Sequence, residues 1–182
     1  MELLAYLTRL ELIKLLKVAK SKNYKAYSVF YLAYILGLRV SEVIGLKLDD
    51  VDFSENTITI RRLKGSKLTR NTLTNEMRIV LLYWKRYSKG TFFFDGLNRM
   101  WCDRRIKEYG SKAHINRKKL HMHALKHSCA VHMLMGGVDI RTIQKALGHR
   151  NINNTMRYLD VSNEKVDRIQ SALDELLNVK AE

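Results

Sequence analysis

Apolar residues recur at helical spacing along LTRLELIKLLKVAKS (7–21), with Thr8 placed as an N-cap and Glu11 three positions on, so the chain opens on a predicted helix. KAYSVFYLAYILGL (25–38) is apolar nearly all round and predicts a central buried helix ending near Gly37. SEVIGLKL (41–48) follows as a short amphipathic helix. The period then changes. VDFSENTITIRRLKGSKLTRNTLTN (51–75) alternates Ile58 and Ile60 with polar neighbours and turns at Lys64-Gly65-Ser66-Lys67, which predicts a β-hairpin. EMRIVLLYWKRYS (76–88) returns to helix, and FFF (92–94) reads as a short buried strand.

Farther on, the pattern gives a helix from about 122 to 135 stopped by Gly136-Gly137, then a second that Asp139 caps and Gly148 ends. A short turn from Asn153 to Leu159 precedes a tail helix, NEKVDRIQSALDELLNV (163–179), whose Val166, Ile169, Leu173, Leu176 and Leu177 form a stripe. No repeat, low-complexity tract or flexible linker interrupts the chain. The expectation is one domain, 1–182, mostly α with a small antiparallel β-sheet (α+β).

Charge changes that picture most. Lys and Arg outnumber Asp and Glu by 33 to 18 in 182 residues, a formal net charge of +15. Such an excess favours a polyanionic partner, nucleic acid before an anionic membrane surface. Between Arg99 and Leu120 stand eight basic residues: Arg99, Arg104, Arg105, Lys107, Lys112, Arg117, Lys118 and Lys119. With Trp101 and Tyr109 interleaved, the stretch reads as a track for a phosphate backbone rather than only a solvated face. The longest uncharged apolar run, 26–38, is too short to cross a bilayer, and the acidic amino terminus is not a signal peptide. Cys102 and Cys129 form no CxxC and read as reduced thiols of a cytoplasmic protein. The chain contains no proline, so its turns rest on Gly, Asn and Asp.

LHMHALKHSCAVHM (120–133) holds four histidines. His123 and His127 stand at i and i+4, a spacing compatible with zinc, but neither an HExxH glutamate nor a cysteine pair supplies further ligands. His127 and His132 read instead as packing residues, and His121 has no assigned role. A different set emerges in chain order: GLRVSE (37–42), the hairpin Lys64, HALKH (123–127), LGH (147–149), and Tyr158 nine positions beyond His149.

Together these motifs resemble the tyrosine recombinases, the phage-integrase family. GVDIRTIQKALGHRNINNTMRY (137–158) carries much of the likeness, and HSC (127–129) with the short length looks most like the small fimbrial-switch recombinases. The resemblance implies a tyrosine-recombinase catalytic-domain fold and site-specific cutting and rejoining of double-stranded DNA through a 3′-phosphotyrosyl intermediate. Neither metal nor ATP is then required. It makes Tyr158 the nucleophile and Arg39 a phosphate clamp oriented by Glu42. Lys64 becomes the general acid, with Lys67 as its alternative. His123 would assist proton transfer, and Lys126 and His149 would bind the phosphate. Lys126 stands where the family has arginine, keeping the charge but losing the bidentate fork. That departure leaves a DNA-binding protein of the same fold with weak catalysis as an alternative, beside topoisomerase-like nicking and resealing. The resemblance further implies an absent amino-terminal clamp domain and a homo-tetramer on DNA joined through the tail helix, with no membrane partner.

Overall fold

The structure is a computed structural model that describes residues 4–62 and 68–159. The hairpin tip with Lys64 and Lys67, and the expected tail helix, lie outside the described residues.

Helix α1 (Arg9–Lys22) begins at the expected capping box. Thr8 Oγ1 accepts the Glu11 amide at 3.2 Å, and the Glu11 carboxylate accepts the Thr8 amide at 2.7 Å. Two orphan donors of the first turn are thereby satisfied. Helix α2 (Tyr24–Ile35) is the central one, burying Ala26, Tyr27, Val29, Phe30, Leu32 and Ala33. It packs on α1, on α3 (Val40–Ile44), on α5 (Arg99–Lys112) and on α6 (Met122–Met135). Helices that are apolar all round need cover on every side, and α2 obtains it.

Gly37 ends α2 with a φ of +57°, and a Cβ there would lie 2.4 Å from Leu147 Cδ2. Only glycine satisfies both demands. The close approach brings the end of α2 against the end of α7 (Ile140–Ala146), which Asp139 caps through the amides of Arg141 and Thr142.

The expected hairpin is β2 (Thr57–Ile60) with β3 (Thr69–Thr72), in register Ile60 with Thr69. A two-residue strand β1 (Val51–Asp52) adds to β2, giving an antiparallel sheet ordered β1-β2-β3. Ile58 and Ile60 point into the core, as the alternation requires. Helix α4 (Asn75–Tyr87) follows.

Two boundaries differ from expectation. The 41–48 helix stops at Ile44 because Gly45 caps it, and Leu48–Asp50 forms a separate 3-10 turn. The 92–94 strand reduces to one bridge between Phe92 and Lys47, while Phe93 and Phe94 are buried in a turn. Ser88 Oγ donates to Phe92 O at 2.7 Å and lies 3.1 Å from Asp95 Oδ2, which folds the segment into a turn that Gly96 continues at φ +76°. A second apolar cluster gathers Cys129, Ala130, Val131, Ile143, Leu147 and Tyr158, the last just after α8 (Asn153–Met156). No helix among the described residues is long and apolar enough to cross a membrane.

Candidate active site

The GLR and LGH segments meet because Gly37 and Leu147 are in contact, and the space beneath them is filled by two buried cations. Lys126, on the inner face of α6, is 1% exposed. Its Nζ donates to the carbonyls of Gly37 at 3.0 Å and Leu147 at 3.1 Å. Arg62, just beyond β2, is also buried. Its Nη1 donates to Gly37 O at 3.0 Å and Glu42 Oε2 at 3.3 Å, and its Nη2 to Leu36 O at 3.0 Å and Ala146 O at 2.6 Å. A Cβ at Gly148, where φ is +64°, would come within 2.6 Å of Arg62 Cγ, so this glycine makes room for the guanidinium.

Glu42 binds the cations from α3. It accepts the Arg39 amide at 2.8 Å and Arg39 Nη1 at 2.9 Å, which holds the half-exposed Arg39 side chain at the helix start. Burial opposes its ionisation, but the Arg39 amide bond and the Lys126, Arg62 and Arg39 charges prevail and keep the carboxyl below its ordinary value. One carboxylate among three cations leaves a net positive site, which suits a phosphate.

The cation excess also acts on the bases. Burial, then the Arg62 charge, pushes the Lys126 ammonium down to about 7. His149 is pushed down to about 4 by burial and by Lys126, Arg39 and Arg62. His123, exposed at the start of α6, is lowered by desolvation and then by Lys126 and Arg39. His149 Nδ1 lies 2.9 Å from Thr155 Oγ1, a contact that fixes its ring.

Tyr158 is 2% exposed. Its ring stacks on His149 at a centroid distance of 6.5 Å, and its hydroxyl lies 3.1 Å from His127 Nδ1. Burial raises its pKa to about 12, against the pull of Arg157 and Arg39. His127 in turn meets His123 edge to face at 4.5 Å. Thus Arg39, Glu42, Lys126, His123, His149 and Tyr158, dispersed through the sequence, are linked by contacts through Arg62, Gly37, Leu147 and His127. Among the described residues no three His, Cys, Asp or Glu side chains are grouped to hold a metal ion.

A cleft of about 530 Å³ opens beside Arg39 and His123, lined also by Ser41, Arg99, Asp103 and His121. A second, about 920 Å³, runs along β3 and the end of α7, lined by Arg70, Asn71, Lys145, His149 and Arg150. Of the eight predicted DNA-track residues only Arg99 lines either cleft. Arg104, Lys107, Arg117 and Lys118 are exposed elsewhere. Arg105 and Lys112 both pair with Glu108, and Lys119 with Glu11 across to α1.

Arg62 was not among the residues singled out from the sequence, and His127, expected to pack, also lies 3.1 Å from the Tyr158 hydroxyl. Arg62 had a signal: the alternation that turns Ile58 and Ile60 inward puts position 62 on the same face. His127 had none, because its partner lies 31 positions away.

A helical domain with a small antiparallel sheet, gathering guanidinium, ammonium and imidazole groups beside one buried tyrosine, has the architecture of tyrosine-recombinase catalytic domains. The chain belongs to the Phage integrase family, whose pattern matches residues 5–165. It is 34% identical over 179 residues to tyrosine recombinase XerA of Thermococcus onnurineus (strain NA1), covering 90% of this chain and 61% of that one. It is 35% identical over 139 residues to the type 1 fimbriae regulatory protein FimE of Escherichia coli (strain K12), covering 70% of each. The crystal structure of the XerH site-specific recombinase bound to palindromic difH substrate, a post-cleavage complex, shares the fold. Its TM-score is 0.81 over 95% of this chain and 54% of that one, at 21% identity. The chain therefore spans little more than half the length of several proteins it matches.

Proposed function

We propose that the protein is a site-specific DNA recombinase that cuts and rejoins double-stranded DNA through a 3′-phosphotyrosyl intermediate at Tyr158. The observation that carries this reading is the gathering of Arg39, Lys126, His123 and His149 around one buried tyrosine in a chain of this family. The DNA-bound XerH structure, of the same fold, supports DNA as the substrate.

In the proposed reaction the Tyr158 oxygen bonds to phosphorus as the bond to the 5′-oxygen breaks. The phenolic proton passes to solvent with assistance from His123, and the 5′-oxygen takes a proton from Lys64, with Lys67 the alternative donor. Arg39, Lys126 and His149 bind the non-bridging oxygens as charge develops, and Glu42 holds Arg39 in line. The phosphotyrosyl bond conserves the energy of the linkage it replaces, so resealing requires no ATP. The side-chain cations supply the charge that a metal would otherwise provide.

Arg99, beside the Arg39 cleft, and the exposed basic residues of α5 and 117–118 track the flanking backbone. Two further elements of the proposal rest on sequence alone. They are a homo-tetramer on DNA joined through the 163–179 stripe, and action in the cytoplasm of a prokaryotic, viral or mobile-element host. The test uses nicked duplexes of randomised sequence, incubated with the protein in a chelator and then denatured in SDS. A covalent adduct with the native chain and none with Tyr158→Phe supports the proposal. No native adduct on any duplex, or one that survives in Tyr158→Phe, overturns it.

A further inference from the structure

The Tyr158 hydroxyl is an uncommon nucleophile to find at 2% exposure, since a free phenol turns about its own bond and presents its lone pairs at random. Among the described residues its one hydrogen-bond partner is His127 Nδ1, at 3.1 Å. The histidine is itself fixed. It sits on the α6 face between Tyr158 and His123, touching the first by hydrogen bond and the second edge to face. We infer that His127 is a positioning residue for the nucleophile: its Nδ1 accepts the Tyr158 O–H and aims an oxygen lone pair at the scissile phosphorus. This rests on the reading of Tyr158 as the nucleophile.

Two features favour this over packing. Burial and the neighbouring His123 push His127 down to about 3, so the ring is neutral, and a neutral ring whose Nδ1 accepts must carry its proton on Nε2. In that tautomer Tyr158 donates and His127 accepts, and this is the arrangement the inference takes. Second, the same bond is made at 3.0 Å by Tyr34 and His132, so the bond alone does not set Tyr158 apart; its surroundings do. Tyr158 differs in standing against His149 and within the field of Arg39.

The experiment measures single-turnover adduct formation on a nicked duplex, DNA affinity and thermal stability for His127→Leu, His127→Asn and Tyr158→Phe. Asparagine Oδ1 reaches roughly the place of Nδ1 and can accept the same bond; leucine cannot. A misplaced reacting group costs on the order of 10²-fold. We expect that loss for His127→Leu, with DNA affinity within about twofold of native, and recovery of at least tenfold of it by His127→Asn. A duplex with sulfur in place of the bridging 5′-oxygen separates the steps, because a thiolate leaves without an acid. It should leave the His127→Leu defect in place. The inference is overturned if His127→Leu cleaves at the native rate, if sulfur restores it, or if His127→Asn cleaves no faster than His127→Leu. Loss of folding in His127→Leu leaves His127→Asn to decide: cleavage within about tenfold of native supports the inference, and none overturns it. Cleavage by Tyr158→Phe instead overturns the nucleophile assignment, whatever the His127 variants do.

Discussion

Replacing Arg62 by methionine should damage this domain more than any comparable loss of a surface cation. The guanidinium makes four hydrogen bonds, to the carbonyls of Leu36, Gly37 and Ala146 and to the Glu42 carboxylate. Methionine fills much of the volume but donates nothing. Removing one member of a buried ion pair costs about 3–5 kcal/mol because the other charge stays buried. Here Arg39 still binds Glu42 at 2.9 Å, and Lys126 still reaches Gly37 O, which lowers the penalty. The Leu36 and Ala146 carbonyls gain no replacement, and an unsatisfied buried acceptor costs about 1–3 kcal/mol, which restores it. The net expectation is about 3–5 kcal/mol, or roughly 6–20 °C in Tm for a domain of this size. Arg61→Met is the control. Its ion pair to Asp50 has a side chain 65% exposed on the arginine side, so it should change stability by less than about 1 kcal/mol. Urea unfolding of both variants beside the native chain provides the comparison. An Arg62→Met loss under about 1 kcal/mol, or equal losses for the two, would refute the clamp.

Lys126 should make cleavage pH-dependent. In the proposed reaction its ammonium form binds the phosphate; that form prevails below about pH 7 in the free protein, so adduct formation should fall as pH rises above that value. In Lys126→Arg the alkaline decline should vanish, because a guanidinium keeps its proton; an unchanged profile would assign the decline to another group. Stability should follow the opposite trend. With the folded pKa below the unfolded one, the unfolded chain binds more protons between about pH 7 and the ordinary lysine range, so the native-minus-Lys126→Met stability difference should grow with pH there. Salt titrations of DNA binding should separate the basic residues: Arg117→Ala or Lys118→Ala should reduce the log–log slope by about 0.9 each if they contact phosphate. Lys119→Ala should reduce it less, since Glu11 already holds that ammonium at 2.9 Å.

What the sequence revealed and what it concealed follow from the range of the interactions. Local signals worked: Thr8 with Glu11, and Asp139 before Arg141 and Thr142, are hydrogen-bonded caps whose partners lie within three positions. The bounds expected for α6 match Met122–Met135 because glycines stop it. The 92–94 segment misled because three aromatic residues satisfy a strand pattern, whereas Ser88, through Phe92 O and Asp95, holds the backbone in a turn. In the site, motif order identified the residues whose contacts now connect, but not the connectors. Arg62 is understood only once Gly148 and Gly37 are seen to leave it space, and His127 only once Tyr158 has folded back onto α6.

The central claim is that Tyr158 forms a covalent bond to DNA. Trapping the adduct on a nicked duplex, digesting it with protease and nuclease, and sequencing the modified peptide by mass spectrometry tests it directly. The account predicts a nucleotide attached through its 3′-phosphate to Tyr158. A modification on any other residue, or a 5′-phosphate linkage, would contradict it.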